Sequence, residues 1–173
     1  MSKKLVTQIG VALAVLGSVA VASAADKGSQ KFITEVIRGN LAEVQVGKLA
    51  QQKGQSDAVR SFGQQLVSDH SDANNQATQV ADQLGVTPPK EPNAKQKAAY
   101  DKLSKLSGEA FDRAFAKEMV ADHKKDIKEF EKEAKKKDDP AAQFASDTLP
   151  VLHKHLDMAQ NLERNKTGQA RSR

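Results

Sequence analysis

The sequence predicts an all-α protein: a ferritin-like antiparallel four-helix bundle, built as two helical hairpins joined by a long crossover that contains a short helix. Apolar residues recur at three- and four-residue spacing over four long segments, as they do on the buried faces of helices. Aromatic residues make up only 4% of the chain and Trp is absent, whereas strands favour aromatic and β-branched residues. Five prolines and ten glycines are too few for a protein made of strands and tight turns.

The first two predicted helices form one hairpin. The first runs from about residue 26 to residue 52, and Gly54 follows its end. The second opens at Ser56, a residue type that caps helix N-termini well, and runs to Leu84. Only a few residues separate the two, so they are expected to pack antiparallel.

The last two predicted helices form the second hairpin. One starts near Ser107 and continues to about Ala134. The next begins at Pro140, behind the acidic pair 138–139, and runs to about Arg164 with a kink or restart expected at an internal proline. The crossover between the hairpins, residues 85–106, begins as a Pro-rich extended stretch and is expected to hold a short helix over 94–106. Two hairpins with one long connection are typical of ferritin-like bundles.

The N-terminus has the features of a cleavable signal peptide. Lys3 and Lys4 precede an apolar stretch over 11–21, and Ala22-Ser23-Ala24 matches the small-x-small cleavage pattern. An N-terminal membrane anchor is the alternative, but the apolar stretch is short. We therefore expect a periplasmic or secreted protein that has no transmembrane segment after cleavage. The predicted organisation is a signal peptide over 1–24, a bundle domain over 25–165 and a disordered basic tail over 166–173.

Composition excludes several functions. The chain contains no Cys, so disulfides, thiolate metal sites and cysteine nucleophiles are ruled out. The formal charge is +5, of which two lysines belong to the signal peptide. The remaining charge is too balanced to indicate nucleic-acid binding.

Four polar residues interrupt the apolar stripes, one on each predicted helix: Glu43, His70, His123 and His155. Counted from the hairpin turns, their depths agree within roughly two helical turns, so the side chains could meet near mid-bundle. Three imidazoles and a carboxylate suit Zn²⁺, Cu²⁺ or Fe²⁺. The alternative is a buried network in which each histidine is satisfied by a neighbouring hydrogen bond.

A short motif, Phe-x-x-x-[Leu/Met]-Val-x-Asp-His, occurs at residues 62–70 and again at 115–123. Asp69 and Asp122 lie one step around the helix from their histidines, so each could hold a histidine of an adjacent helix. They could equally be solvated. His153 lies about 200° around the helix from His155 and is therefore expected on the surface.

These motifs resemble a family of bacterial exported proteins. The Glu on the first helix, the two Val-x-Asp-His copies, Ser-Gly-x-x-Phe-Asp at 107–112 and Leu-Pro-x-Leu-x-x-His-Leu at 149–156 are similar to the family catalogued as domain of unknown function 4142. Its members are often labelled "putative outer membrane protein". The resemblance covers roughly residues 31–162. It implies a ferritin-like helical fold and an envelope location, and it carries no activity.

A di-iron centre is not expected. Such a bundle needs Glu-x-x-His on two helices, but Val67, Val120 and Leu152 stand three residues before the histidines here. The chain also lacks a phosphate-binding loop and any Ser/His/Asp arrangement on loops, so we do not expect an enzyme. Two hypotheses remain, a metal-binding periplasmic protein and a non-catalytic envelope or stress-related protein that engages a partner. The sequence does not fix the oligomeric state.

Overall fold

The computed structural model describes residues 26–171, and over this range the chain contains five helices and no strand. They are α1 (Lys27–Lys53), α2 (Asp57–Gln83), α3 (Ala94–Ser104), α4 (Gly108–Glu133) and α5 (Pro140–Arg171). The all-α prediction is confirmed, with two hairpins and a short helix in the crossover. The predicted signal peptide over 1–24 lies outside the described residues.

Helices α1 and α2 form the first hairpin, and two glycines set how closely they approach. A Cβ on Gly47 would lie 2.7 Å from the carbonyl oxygen of Gly63, and a Cβ on Gly63 would lie 2.6 Å from that of Gly47. Both distances are too short for a real contact, so the two backbones cross where neither helix has a side chain. Ser56 caps α2 as predicted, its side chain accepting a hydrogen bond from the Val59 N–H.

Helices α4 and α5 form the second hairpin. Asp139 precedes α5 and its side chain accepts a hydrogen bond from the Ala141 N–H at 2.8 Å, in agreement with the predicted acidic cap. The expected restart at Pro150 is absent, since α5 continues through this residue. The described part of α5 reaches Arg171, beyond the predicted helix end near Arg164.

Asp112 of α4 fastens the second hairpin to the turn of the first. Its fully buried carboxylate accepts hydrogen bonds from the Gln55 N–H at 2.9 Å, the Ser56 N–H at 3.1 Å and the Ser56 hydroxyl at 2.8 Å. These backbone groups lie between α1 and α2 and have no helical partner. The Asp112 carboxylate on α4 therefore satisfies the free N–H groups where α1 ends and α2 begins.

The hydrophobic core lies on both sides of a polar layer. One cluster includes Leu49, Phe62, Leu66, Phe111 and Phe115 near the turn of the first hairpin. The other includes Ile33, Ile37, Ile127, Phe130 and Phe144 at the opposite end. The buried histidines lie between the two clusters.

The four long helices do not pack evenly. Each hairpin packs tightly within itself and α2 packs on α5, whereas α1 has few contacts with α4. A cavity of about 180 Å³ fills the resulting gap.

Helix α3, opened by a capping box between Asn93 and Gln96, lies against α1 and α4. No helix in the described range is long and apolar enough to cross a membrane.

Candidate metal centre

Three histidines from three helices meet in the interior of the bundle. His70 of α2, His123 of α4 and His155 of α5 are 6%, 1% and 0% exposed. Their ring centroids lie 5.3 to 5.9 Å apart. One nitrogen of each ring lies within 4.8 Å of one nitrogen of both others. The sequence prediction that these three residues share one depth is therefore confirmed.

An acceptor outside the cluster fixes the proton on each ring. Nδ1 of His123 lies 3.0 Å from the carbonyl oxygen of Met119, and Nδ1 of His70 lies 2.9 Å from the side-chain oxygen of Asn40. Nε2 of His155 lies 2.8 Å from a carboxylate oxygen of Asp69. The Met119 carbonyl and the Asp69 carboxylate only accept, so Nδ1 of His123 and Nε2 of His155 must carry the hydrogen. With Asn40 presenting its side-chain oxygen, Nδ1 of His70 donates as well.

The remaining nitrogen of each neutral ring is consequently unprotonated. Nε2 of His123 and Nδ1 of His155 face each other at 3.3 Å, and no hydrogen is left to join them. Nε2 of His70 is buried without a hydrogen-bond partner. If the histidines formed a complete hydrogen-bond network among themselves, a hydrogen would have to lie between His123 and His155. A neutral His155 has one ring hydrogen, and it donates that hydrogen to Asp69.

Burial keeps the rings neutral. It lowers the pKa of His123 to about 4 and that of His70 well below its ordinary value, and in both cases the neighbouring histidines add to the shift. Burial also lowers the pKa of His155, although its hydrogen bond to Asp69 partly opposes the shift. Neutral imidazole is the form that binds metal ions.

Replacing His123 with Asn is expected to make the metal-free protein less sensitive to acid. The pKa of His123 is about 4 when folded and about 6.5 in an unfolded chain. Below pH 6.5 the unfolded chain therefore takes up this proton first, so the free energy of unfolding falls as the pH falls towards 4. At pH 5 this ring accounts for a loss of about 2 kcal/mol.

Urea unfolding at pH 7 and pH 5 measures this effect. The difference in free energy of unfolding between wild type and His123→Asn should shrink by about 2 kcal/mol at the lower pH. His153 is exposed on the same bundle, and His153→Asn should follow wild type at both values. The prediction would be contradicted if the difference in free energy of unfolding between wild type and His123→Asn were the same at pH 7 and pH 5.

Glu43 does not join the cluster as the sequence predicted. It is only 7% exposed and lines the cavity beside His70 and His155, but its carboxylate is not among the groups that come within 4.8 Å of one another. Burial raises its pKa well above the ordinary value, and repulsion from Asp122 and Asp126 adds to the shift.

Asn40, about one turn earlier on α1, hydrogen-bonds to the cluster through His70. It stands fourteen residues before Gly54, and His70 stands fourteen residues after Ser56. Equal distances from one hairpin turn place residues at the same depth. The equal counts are visible in the sequence, but Asn carries no ionisable group and so does not stand out as a candidate ligand.

The two aspartates of the repeated motif have different environments. Asp69 accepts a hydrogen bond from His155 of α5, which confirms the predicted contact with an adjacent helix. Asp122 has no hydrogen bond to a histidine in the described part of the chain and instead lines the cavity near Glu43. His153 is exposed, as expected.

The family follows from a match over most of the chain. The sequence profile of the domain of unknown function DUF4142 matches residues 16–162. The chain belongs to this family. No curated protein matches it.

The DUF4142 chain is also similar in fold to a solved structure. The crystal structure of a DUF305 fragment from Deinococcus radiodurans superposes with a TM-score of 0.71, covering 82% of this chain and 99% of the fragment. The two sequences are 14% identical, so the likeness concerns the helical fold alone.

Proposed function

We propose that this DUF4142 protein is an exported, non-catalytic protein that binds one transition-metal ion through His70, His123 and His155. One observation carries the proposal: three buried imidazoles from three helices each present one ring nitrogen within 4.8 Å of the others, and each ring has an outer oxygen within hydrogen-bond distance. Metal-binding histidines are held in the same way, by an acceptor on the second ring nitrogen.

The separation of one pair of nitrogens suits a small tetrahedral ion. At metal–nitrogen distances of 2.0–2.1 Å, two nitrogens bound to one tetrahedral zinc ion lie about 3.3 Å apart. Nε2 of His123 and Nδ1 of His155 are separated by 3.3 Å. Zn²⁺, Cu²⁺ and Fe²⁺ all accept imidazole ligands, and a fourth position would be left for water on the cavity side.

The proposed location is the periplasm. The signal-peptide features of residues 1–24 support export, and an exported chain without Cys must bind metal through nitrogen and oxygen. A catalytic role has no supporting feature, because the bridging carboxylates of a di-iron enzyme are replaced by apolar residues.

Elemental analysis of the protein purified from its native cell envelope, followed by Co²⁺ titration of the metal-free protein, tests the proposal. We expect close to one metal ion per chain and visible Co²⁺ absorption of a tetrahedral site. His70→Ala removes one ligand and should abolish that absorption, whereas His153→Ala should retain it.

Two results would contradict the proposal. One is the absence of metal from the native protein together with no Co²⁺ spectrum. The other is an unchanged spectrum in His70→Ala, which would place the ion elsewhere. Either would favour the alternative of an envelope protein that engages a partner and uses its histidines structurally.

A further inference from the structure

The cavity between α1 and α4 reaches the histidines from the surface of the bundle. His70 and His155 form part of its wall, and exposed residues such as Lys95 and Val151 lie at its edge. The cavity is therefore the opening through which a small solute can approach the buried rings.

Carboxylates are the majority of the charged groups in the wall of this cavity. Acidic side chains outnumber lysines by seven to two, although the whole chain carries a formal charge of +5. A cleft lined by one sign of charge concentrates ions of the opposite sign. The negative charge of this cleft attracts cations, although the net positive charge of the whole chain repels them.

The acidic residues of α4 form a stripe along the cavity. Glu118, Asp122 and Asp126 are spaced four residues apart, so they follow one face of the helix. All three are partly buried, and burial is the largest cause of their raised pKa values. Like charges at this spacing destabilise a helix. Asp126 forms an ion pair with Lys125 at 3.6 Å. Glu118 and Asp122 have no lysine within ion-pair distance in the described residues and are stabilised by the more distant Lys95, Lys102 and Lys125.

Glu43 faces this stripe from α1. Its Oε2 is buried with no hydrogen-bond partner, and its carboxylate interacts electrostatically with Glu118, Asp122 and Asp126. A buried acceptor that no protein group satisfies indicates an absent donor or cation. Independently of the stripe, this side chain therefore leaves a polar position in the cavity that a water molecule or a cation can fill.

The carboxylates do not form a second metal centre. The histidine cluster is the one set of three or more potential ligands in the described chain whose atoms lie within 4.8 Å of one another. The acids are instead spread over a length of the cavity, an arrangement that attracts a hydrated ion and passes it onward without holding it.

We propose that the acidic cleft formed by Glu43, Glu118, Asp122 and Asp126 is the entry route by which a divalent cation reaches the histidine cluster. This inference rests on the proposed function. The stripe draws the hydrated ion into the cleft, whose wall includes Glu43, His70 and His155, and there the ion exchanges water for imidazole.

Stopped-flow measurement of Co²⁺ association with the metal-free protein, at a series of salt concentrations, tests this route. For wild type we expect the association rate to fall as salt increases, because salt screens attraction to the cleft. If the net positive charge governed the approach of the ion, the association rate would rise with salt. The direction of the salt dependence of wild type therefore distinguishes the two cases without any variant.

The variant is Glu118→Gln/Asp122→Asn/Asp126→Asn, and its matched control is Asp101→Asn/Glu131→Gln/Asp157→Asn. The control removes the same charge from exposed residues outside the cavity. We expect the cleft variant to bind Co²⁺ at least about 10-fold more slowly at low salt and with a flat salt dependence, whereas the control keeps both wild-type properties. The single variant Asp122→Asn should show a smaller decrease of the same kind.

An association rate and salt dependence in the cleft variant equal to those of wild type would overturn the entry route and leave the metal site intact. A wild-type rate that rises with salt would overturn it as well. Failure of wild type to bind Co²⁺ at any concentration would instead refute the proposed function, and the route with it.

Discussion

Zinc added to the metal-free protein is expected to raise its melting temperature by roughly 5–10 °C. A ligand that binds only the folded state stabilises it by about 2.7 kcal/mol at a free concentration 100 times its dissociation constant. For a domain of this size each kcal/mol corresponds to roughly 2–4 °C. The site exists only when α2, α4 and α5 are assembled, so the unfolded chain cannot bind the ion in the same way.

Removing the acceptor of His155 should reduce this stabilisation. Asp69→Ala leaves Nε2 of His155 without its partner, so the ring is no longer held with Nδ1 unprotonated and facing His123. Loss of such a partner typically costs 10–100-fold in metal affinity, equivalent to about 1.4–2.7 kcal/mol. Asp72 is exposed on the same helix, and Asp72→Ala should keep the full zinc-dependent shift.

Differential scanning calorimetry with and without zinc separates the outcomes. His70→Ala, which lacks one ligand, should melt at the same temperature in both conditions. If zinc does not shift the melting temperature of wild type, the cluster is a structural element. If Asp69→Ala responds as strongly as wild type, the metal hypothesis stands but Asp69 has no part in orienting the ring.

Replacing Asp112 with Ala is expected to destabilise the protein by about 3 kcal/mol, a decrease in melting temperature of roughly 6–12 °C. The change leaves the Gln55 and Ser56 N–H groups without their acceptor. It also removes the contact by which α4 holds the turn of the first hairpin. Hydrogen bonds to a buried charged group are the more costly kind to lose.

Urea unfolding measures the change. Asp112→Asn should lose less than Asp112→Ala, because the amide oxygen still accepts from one of the two N–H groups. The exposed Asp101 of α3 provides the control, and Asp101→Ala should stay within about 0.5 kcal/mol of wild type. A loss below 1 kcal/mol in Asp112→Ala would show that water replaces the carboxylate.

Helix positions could be predicted from the sequence because local signals agree with the final packing. Ser56 caps α2 where its side chain predicted, and α5 begins at Pro140 behind Asp139. Position 150 shows the limit of a local rule. The proline there predicted a kink or a restart of the helix, and the restart is absent because α5 continues through it. Burial of Phe144 and Leu152 on either side gives a reason for the helix to persist.

The histidine cluster could be predicted because three residues at matching depth must meet in an antiparallel bundle. The place of Glu43 could not, since it depends on the separation between α1 and α4, and periodicity carries no information about the distance between helices. The acidic cleft was missed for a related reason. Glu118, Asp122 and Asp126 have the spacing of an ordinary solvated helix face, and the packing around them is what reveals that they line a cavity.

The three rings belong to different halves of the molecule: His70 lies in the first hairpin, and His123 and His155 lie in the second. An ion bound to them would therefore be a cross-link between the halves, in a chain that has no cysteine with which to make a disulfide. With Zn²⁺, which has no redox chemistry, such a link would be opened by chelators or acid and would be indifferent to reductants. The mechanical integrity of the bundle would then depend on the supply of metal in its compartment, and not on the redox state there.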